Sequence, residues 1–199
     1  MKLAYVFFLL CGMAAAQDDS ILLKRPWQFG FWGGGGVSVF GGSKDVSTAT
    51  AGLRIGKMLS REIGDGQMRG VFEWSADVIP LYYFVQPNTF KGSNNTYGAS
   101  FNPLNMTWNF TAPKTITPYA EIGGGVLFTS KFVPETTTAN VNFTTHAGLG
   151  FHYFVRENQA ITIGARYEHI SNAGLNVPNP GVNTVQITVG YNWFRKHRK

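Results

Sequence analysis

Cysteine is nearly absent from this chain of 199 residues, where Cys11 stands alone. Bulky Leu9 and Leu10 precede it in place of small residues, which argues against a lipoprotein processing site. Because it falls in a segment expected to be removed, neither disulfides nor thiol chemistry are available to the remainder. Charge is scarce as well. Asp, Glu, Lys and Arg make up 14% of the chain, against about a quarter in an ordinary soluble domain, and so thin a coat poorly suits a water-facing surface. Long apolar runs are also missing. Beyond the first sixteen residues none approaches the roughly 18 that a membrane helix requires, which excludes a helical membrane protein. The length itself points to one domain.

What the chain does have is aromatic residues, at 15%, and 24 glycines. Its start reads as an export signal over residues 1–16: Lys2 supplies the positive end, Leu3 to Met13 the apolar stretch, and Ala14-Ala15-Ala16 the small-residue cleavage site before Gln17. Residues 17–199 are then the mature protein. The formal net charge is +6, gathered partly in a basic tail over residues 195–199. No interleaving of basic and aromatic residues marks that tail for nucleic acid, so it is read as solvated or facing lipid headgroups.

The informative pattern is alternation with a period of two, which separates the faces of a strand. Val185, Ile187, Val189, Tyr191 and Trp193 fall on one face, with Gln186, Thr188, Gly190 and Asn192 on the other. Ile161, Ile163, Ala165 and Tyr167 alternate in the same way with Thr162, Gly164, Arg166 and Glu168. Phe143, Ala147, Leu149, Phe151 and Tyr153 do so with Thr144, His146, Gly148 and His152. Less regular segments over 27–40, 46–58, 69–84, 98–110 and 117–128 bring the count to eight. The spacing predicts an all-β fold, an eight-stranded antiparallel transmembrane β-barrel with its apolar face outward. Short connections near 60–67, 111–114 and 156–158 alternate with longer ones over 86–96, 129–140 and 172–183, which sets the longer ones on the external side. A soluble lipid-binding barrel would alternate equally well with its apolar face turned in. The opposite face decides between them, because Gly, Thr, Asn and Gln make a reasonable lining for a narrow lumen. Glu73, Asp77, Glu121 and Glu168 are expected to project inward beside Arg54 and Arg166.

Strand seven ends in Arg166-Tyr167-Glu168-His169-Ile170-Ser171-Asn172-Ala173-Gly174-Leu175. His169 and Ser171 share a face, and parity from Ile161 puts that face toward lipid, where a polar group needs a reason to sit. Histidine beside serine is the base and nucleophile pair of acyl transfer. Asn183, just before strand eight, shares the outward parity and can orient an imidazole, although it cannot stabilise imidazolium by charge as a carboxylate does. The amide of Asn172, or a backbone N–H near Gly174, could donate to an oxyanion. The same Ser-Asn followed by Ala-Gly is also ordinary turn chemistry at a strand end. His146 and His152 carry lumen parity without a ligand set and read as structural, so no metal is expected. The Gly33-Gly34-Gly35-Gly36 run lacks the Lys-Ser/Thr of a phosphate loop and reads as a bend or a place of tight packing. The Asn-x-Thr sequons at Asn94, Asn105, Asn109 and Asn142 are read as chance.

His169-Ile170-Ser171-Asn172-Ala173-Gly174, followed by Asn179-Pro180-Gly181 and supported by Phe72-Glu73-Trp74-Ser75-Ala76-Asp77, resembles the lipid A 3-O-deacylases of Gram-negative outer membranes. The resemblance implies an esterase of the outer membrane with Ser171 as nucleophile, His169 as general base and Asn172 as an oxyanion contributor. Its substrate would be lipid A, the anchor of lipopolysaccharide, and it would need no cofactor. That family carries a glutamate twelve residues after the serine, where this chain has Asn183. The departure leaves two readings: Asn183 serves as orienter, or the barrel is non-catalytic and has a structural or partner-binding role. A homodimer is left open.

Overall fold

The computed structural model describes residues 21–87, 93–112, 116–134 and 139–195. The export signal expected over residues 1–16, and the basic tail apart from Arg195, lie outside the described residues. Eight strands follow in order: β1 (Trp27–Ser38), β2 (Ser47–Met58), β3 (Gly70–Val85), β4 (Thr96–Phe110), β5 (Ile116–Thr129), β6 (Val141–Arg156), β7 (Gln159–Ser171) and β8 (Val182–Arg195). Each pairs antiparallel with the next, and β8 returns to β1 to close the barrel. Hydrocarbon offers no hydrogen-bond partner to a peptide group, so only a closed sheet can cross it with strands. The outward face is apolar on all eight strands. Leu53, Ile122 and Leu149, at 58%, 63% and 67% exposed, sit at mid-strand, and such a belt all round the barrel is tolerable only against lipid.

The weaker alternation of the early segments has a structural cause. Register shifts interrupt the β3–β4 pairing between Ile79 and Tyr82, and the β4–β5 pairing between Phe101 and Leu104. Pro80 and Pro103 lie inside these shifts, where a ladder can spare the missing N–H. The β3 bulge reverses parity: inward residues are Glu73, Ser75, Asp77 and Ile79 before it, and Tyr82 and Phe84 after it. A bulge adds one residue to one strand only, so a simple count by two fails across it.

Polar side chains fill the lumen. The Arg54 guanidinium donates to both carboxylate oxygens of Asp77 at 2.7 and 2.8 Å, and to Glu121 at 2.6 Å. Thr107 also donates to Glu121, and Asn105 to Asp77. Arg166 donates to Gln186, and its guanidinium lies 4.7 Å from the centre of the Trp32 ring. Glu168 accepts from Tyr82 and Gln186. The four acids and two arginines expected inside are therefore inside. In the glycine run, Gly34 and Gly36 face inward against Thr188 and Gln186, which leave no room for a Cβ. Asn105, Asn109 and Asn142 of the sequons are fully buried.

An apolar layer closes each end of this polar column. Val46, Ile79, Tyr82, Phe84, Leu127, Val133, Ile170 and Val182 cluster at the external end. Leu22, Met58, Val71, Ala160 and Phe194 cluster at the periplasmic end. Leu22 belongs to a short helix, α1 (Ile21–Lys24), which the alternation gave no sign of. Between these layers the lumen keeps a small polar cavity of about 40 Å³, lined by Trp32, Arg54, Tyr119, Glu121 and Arg166, and the convergent residues of β7 lie on the outside. Replacing Arg54 by Met leaves Asp77 and Glu121 without their shared counter-charge, and should destabilise the barrel by about 3–5 kcal/mol. Urea unfolding in lipid vesicles measures it; a loss under about 1 kcal/mol, the size of an ordinary surface change, would remove the ion network from the account.

Candidate active site

β7 keeps its parity to its last residue. His169 and Ser171 follow Tyr167 on the outward face, both half-buried, at the external end of the barrel. Antiparallel pairing puts Asn183 directly opposite His169. Asn183 is thus the second residue of β8 and not part of the connection before it, where the sequence reading had left it. Three outward side chains converge. His169 Nε2 lies 3.0 Å from Ser171 Oγ, and His169 Nδ1 lies 2.6 Å from Asn183 Oδ1.

Partner chemistry fixes where the imidazole proton sits. Asn183 Nδ2 donates to the backbone carbonyl of Phe40 at 3.0 Å, so the amide must turn its oxygen toward the ring. An amide oxygen only accepts. His169 therefore carries its hydrogen on Nδ1 and keeps a lone pair on Nε2, the atom facing the serine hydroxyl. A carboxylate at this position would select the same tautomer. Asn183 does it only because a carbonyl from another segment occupies its donor end.

That segment is the connection between β1 and β2, residues 39–46. Val39 N donates to the Asn183 carbonyl at 2.8 Å and Ser43 N to the Gly181 carbonyl at 2.9 Å, so the loop lies along the start of β8. Gly41 has φ +86°, and a Cβ there would come within 2.9 Å of Asn183 Nδ2. Gly181 has φ +66°, and a Cβ there would press on His169 Cε1 at 3.0 Å. Both positions need a left-handed backbone and a missing side chain, which only glycine supplies without strain.

Asn172 is fully buried. Its side-chain oxygen accepts from Gly174 N at 2.9 Å, its amide donates to the Asn176 carbonyl, and its own N–H donates to Asn179 Oδ1. It is the hub of the connection over 172–181, in which Ala173 and Gly174 both have positive φ. Glu168 points into the lumen toward Tyr82 and Gln186, away from the imidazole. Of the other histidines, His146 lies beside Glu121 and His152 between Thr162 and the Tyr119 ring, all within the barrel. Among the described residues, no group of three or more His, Cys, Asp or Glu is placed to hold a metal.

The family model described as lipid A 3-O-deacylase (PagL) matches residues 63–192, a span that runs from before β3 into β8 and includes all three polar residues of the site. This chain belongs to the lipid A 3-O-deacylase family. It is 40% identical over 72 residues to the lipid A deacylase PagL of Bordetella bronchiseptica, an alignment covering 36% of this chain and 38% of that protein's length. The crystal structure of the outer membrane enzyme PagL matches with a TM-score of 0.60 at 21% identity, over 81% of this chain and 97% of that one. That likeness is one of fold, and it agrees with the apolar outer belt in making this family member an outer-membrane barrel.

The sequence reading missed Phe40, Gly41 and the bracing part of Gly181. The carbonyl of Phe40 carries no side-chain signature, and nothing in the sequence distinguishes Gly41 from other glycines. Nitrogen-15 NMR of the histidine-labelled, refolded barrel should show His169 protonated at Nδ1 with a bare Nε2. In Asn183→Leu that preference should vanish. A native His169 protonated at Nε2 would contradict the tautomer assignment.

Proposed function

We propose that this chain hydrolyses the 3-O-linked acyl ester of lipid A, with Ser171 as nucleophile, His169 as general base and Asn183 as the residue that orients the imidazole. The observation carrying this reading is the chain of contacts from Ser171 Oγ through both nitrogens of His169 to Asn183 Oδ1, on a surface that faces lipid at the external end. Acyl chains of an outer-leaflet lipid run alongside that surface, and the ester linkages sit near the headgroup, at the depth of the last outward residues of β7.

The chemistry follows from these atoms. As Ser171 Oγ attacks the ester carbonyl carbon, its proton passes to His169 Nε2. The carbonyl oxygen becomes an oxyanion and needs a donor. Asn172 is buried and its amide is engaged inside the loop, so we assign it the positioning of the Asn172–Gly174 turn, with a backbone N–H near Gly174 as the donor. Collapse of the tetrahedral intermediate breaks the bond to the sugar oxygen, which leaves as an alcohol with the proton from imidazolium. Water then attacks the acyl-serine with His169 again taking the proton, which releases the hydroxy fatty acid and restores Ser171. Asn183 holds the ring throughout, without a negative charge to pair with imidazolium.

The alternative of a non-catalytic barrel drew its support from an amide where the family carries an acid. The Phe40 contact weakens that support, because it gives the amide the same orienting task. Each residue of the proposed machinery comes from one chain, so the reaction requires no second copy. Mass spectrometry of lipid A incubated with the refolded protein should show the loss of one hydroxyacyl chain, with turnover reduced about 10⁴-fold or more in Ser171→Ala. Lipid A left intact by the folded native protein would move the assignment to the non-catalytic barrel.

A further inference from the structure

At the opposite end of the barrel, four neighbouring strands present an outward row whose order is set by register. Trp74 on β3 pairs with Lys57 on β2, Lys57 with Trp27 on β1, and Trp27 with Arg195 on β8. Aromatic and cationic side chains therefore alternate across four of the eight strands, at the level where the chain enters and leaves the barrel. One step deeper the same strands carry Ala76, Ile55, Phe29 and Trp193, and another step deeper Val78, Leu53, Phe31 and Tyr191. The face passes from charged to wholly apolar within one register step.

The cations are held by rings. Lys57 Nζ lies 5.2 Å from the centre of the Trp27 ring, and the Arg195 guanidinium carbon lies 5.9 Å from that of Phe29. Both side chains are exposed, and among the described residues neither has a carboxylate partner. The rim acids Glu157 and Glu62 are engaged elsewhere, by Arg25 and Arg69. Adjacent strands are about 4.8 Å apart, so Lys57 and Arg195 stand roughly 10 Å apart with an indole between them. Two cations at headgroup depth over a ribbon of aromatic and aliphatic side chains complement a molecule with an anionic head and apolar tails.

We propose that this row binds an anionic phospholipid of the periplasmic leaflet, with its phosphate between Lys57 and Arg195 and its acyl chains along Phe29, Ile55, Phe31 and Leu53. Burying the stems of Lys and Arg along apolar surface while their charges reach the phosphate plane is how such side chains behave at an interface. The rings hold the cations near that plane before lipid arrives. The proposal does not depend on the hydrolytic reading, since the row lies at the other end of the barrel from Ser171.

The test is to refold the protein into phosphatidylcholine bilayers carrying a trace of spin-labelled phosphatidylglycerol or spin-labelled phosphatidylcholine, and to measure the lipid fraction immobilised on the barrel. At low salt the native protein should favour phosphatidylglycerol roughly fivefold, the effect of one well-placed basic residue near an anionic surface. The Lys57→Gln, Arg195→Gln double variant should bring the preference close to one. The charge-keeping exchange Lys57→Arg with Arg195→Lys should retain it, and heat-modified gel mobility verifies that each barrel is folded. If the double variant does not fold, Lys57→Gln alone must at least halve the preference. Equal association of both lipids with the native barrel, or an unchanged preference in the neutralised variants, overturns the proposal.

Discussion

A peptide group in hydrocarbon has no water to bond with, and the rest of this structure follows from how the chain meets that constraint. Eight strands close on themselves so that no edge is left, and closure forces side chains to alternate between lipid and lumen. The lipid side must then be apolar. The lumen is bridged by Arg54, Asp77, Glu121 and their partners around a small polar cavity, and apolar layers lie above and below. The closed ladder of this barrel holds side chains on its outer wall at separations set by strand register.

Against that background a polar residue on the outer wall is conspicuous, because lipid gives it nothing to bond. His169, Ser171 and Asn183 meet the requirement by bonding one another, and the last donor in the chain is satisfied by the Phe40 carbonyl. Stability and chemistry thus ask for the same arrangement here. A hydrogen-bonded trio is the cheapest way to keep polar groups at a lipid interface, and it leaves a serine hydroxyl facing the bare nitrogen of an imidazole. The loop over residues 39–46 lets an amide stand in for a carboxylate, since it turns the Asn183 oxygen inward to the ring. What the amide cannot supply is charge, so in the proposed acyl transfer the imidazolium would have its hydrogen bond alone.

Much of this was readable from the chain. Strict period two made β6, β7 and β8 plain, and their parity alone placed His169 and Ser171 outward and Glu168 inward, as the structure has them. Pro80 and Pro103 blurred β3 and β4, because a bulge reverses parity while leaving the composition unchanged. The pairing of His169 with Asn183 was anticipated by parity, but not its cause, since register depends on where β8 begins. The helix α1 and the contact of Phe40 with Asn183 were illegible for a different reason. Backbone carbonyls and four-residue helices leave no periodic trace, and their partners lie far away in sequence. The sequence offered Asn172 as an oxyanion donor; the structure buries it and bonds its side chain to Gly174 N and the Asn176 carbonyl, contacts that spacing does not reveal.

The central claim is the proposal that the neutral amide of Asn183 performs the orienting work of a carboxylate. The rate of hydroxy fatty acid release from lipid A by Asn183→Leu, set against the native protein in the same detergent, tests it most directly. Leucine keeps the volume and removes the acceptor, so the account predicts a fall of about 10²-fold with the barrel still folded, in the range that properly placed proton transfer contributes. An unchanged rate would mean that His169 finds its working tautomer without Asn183, and would contradict the account.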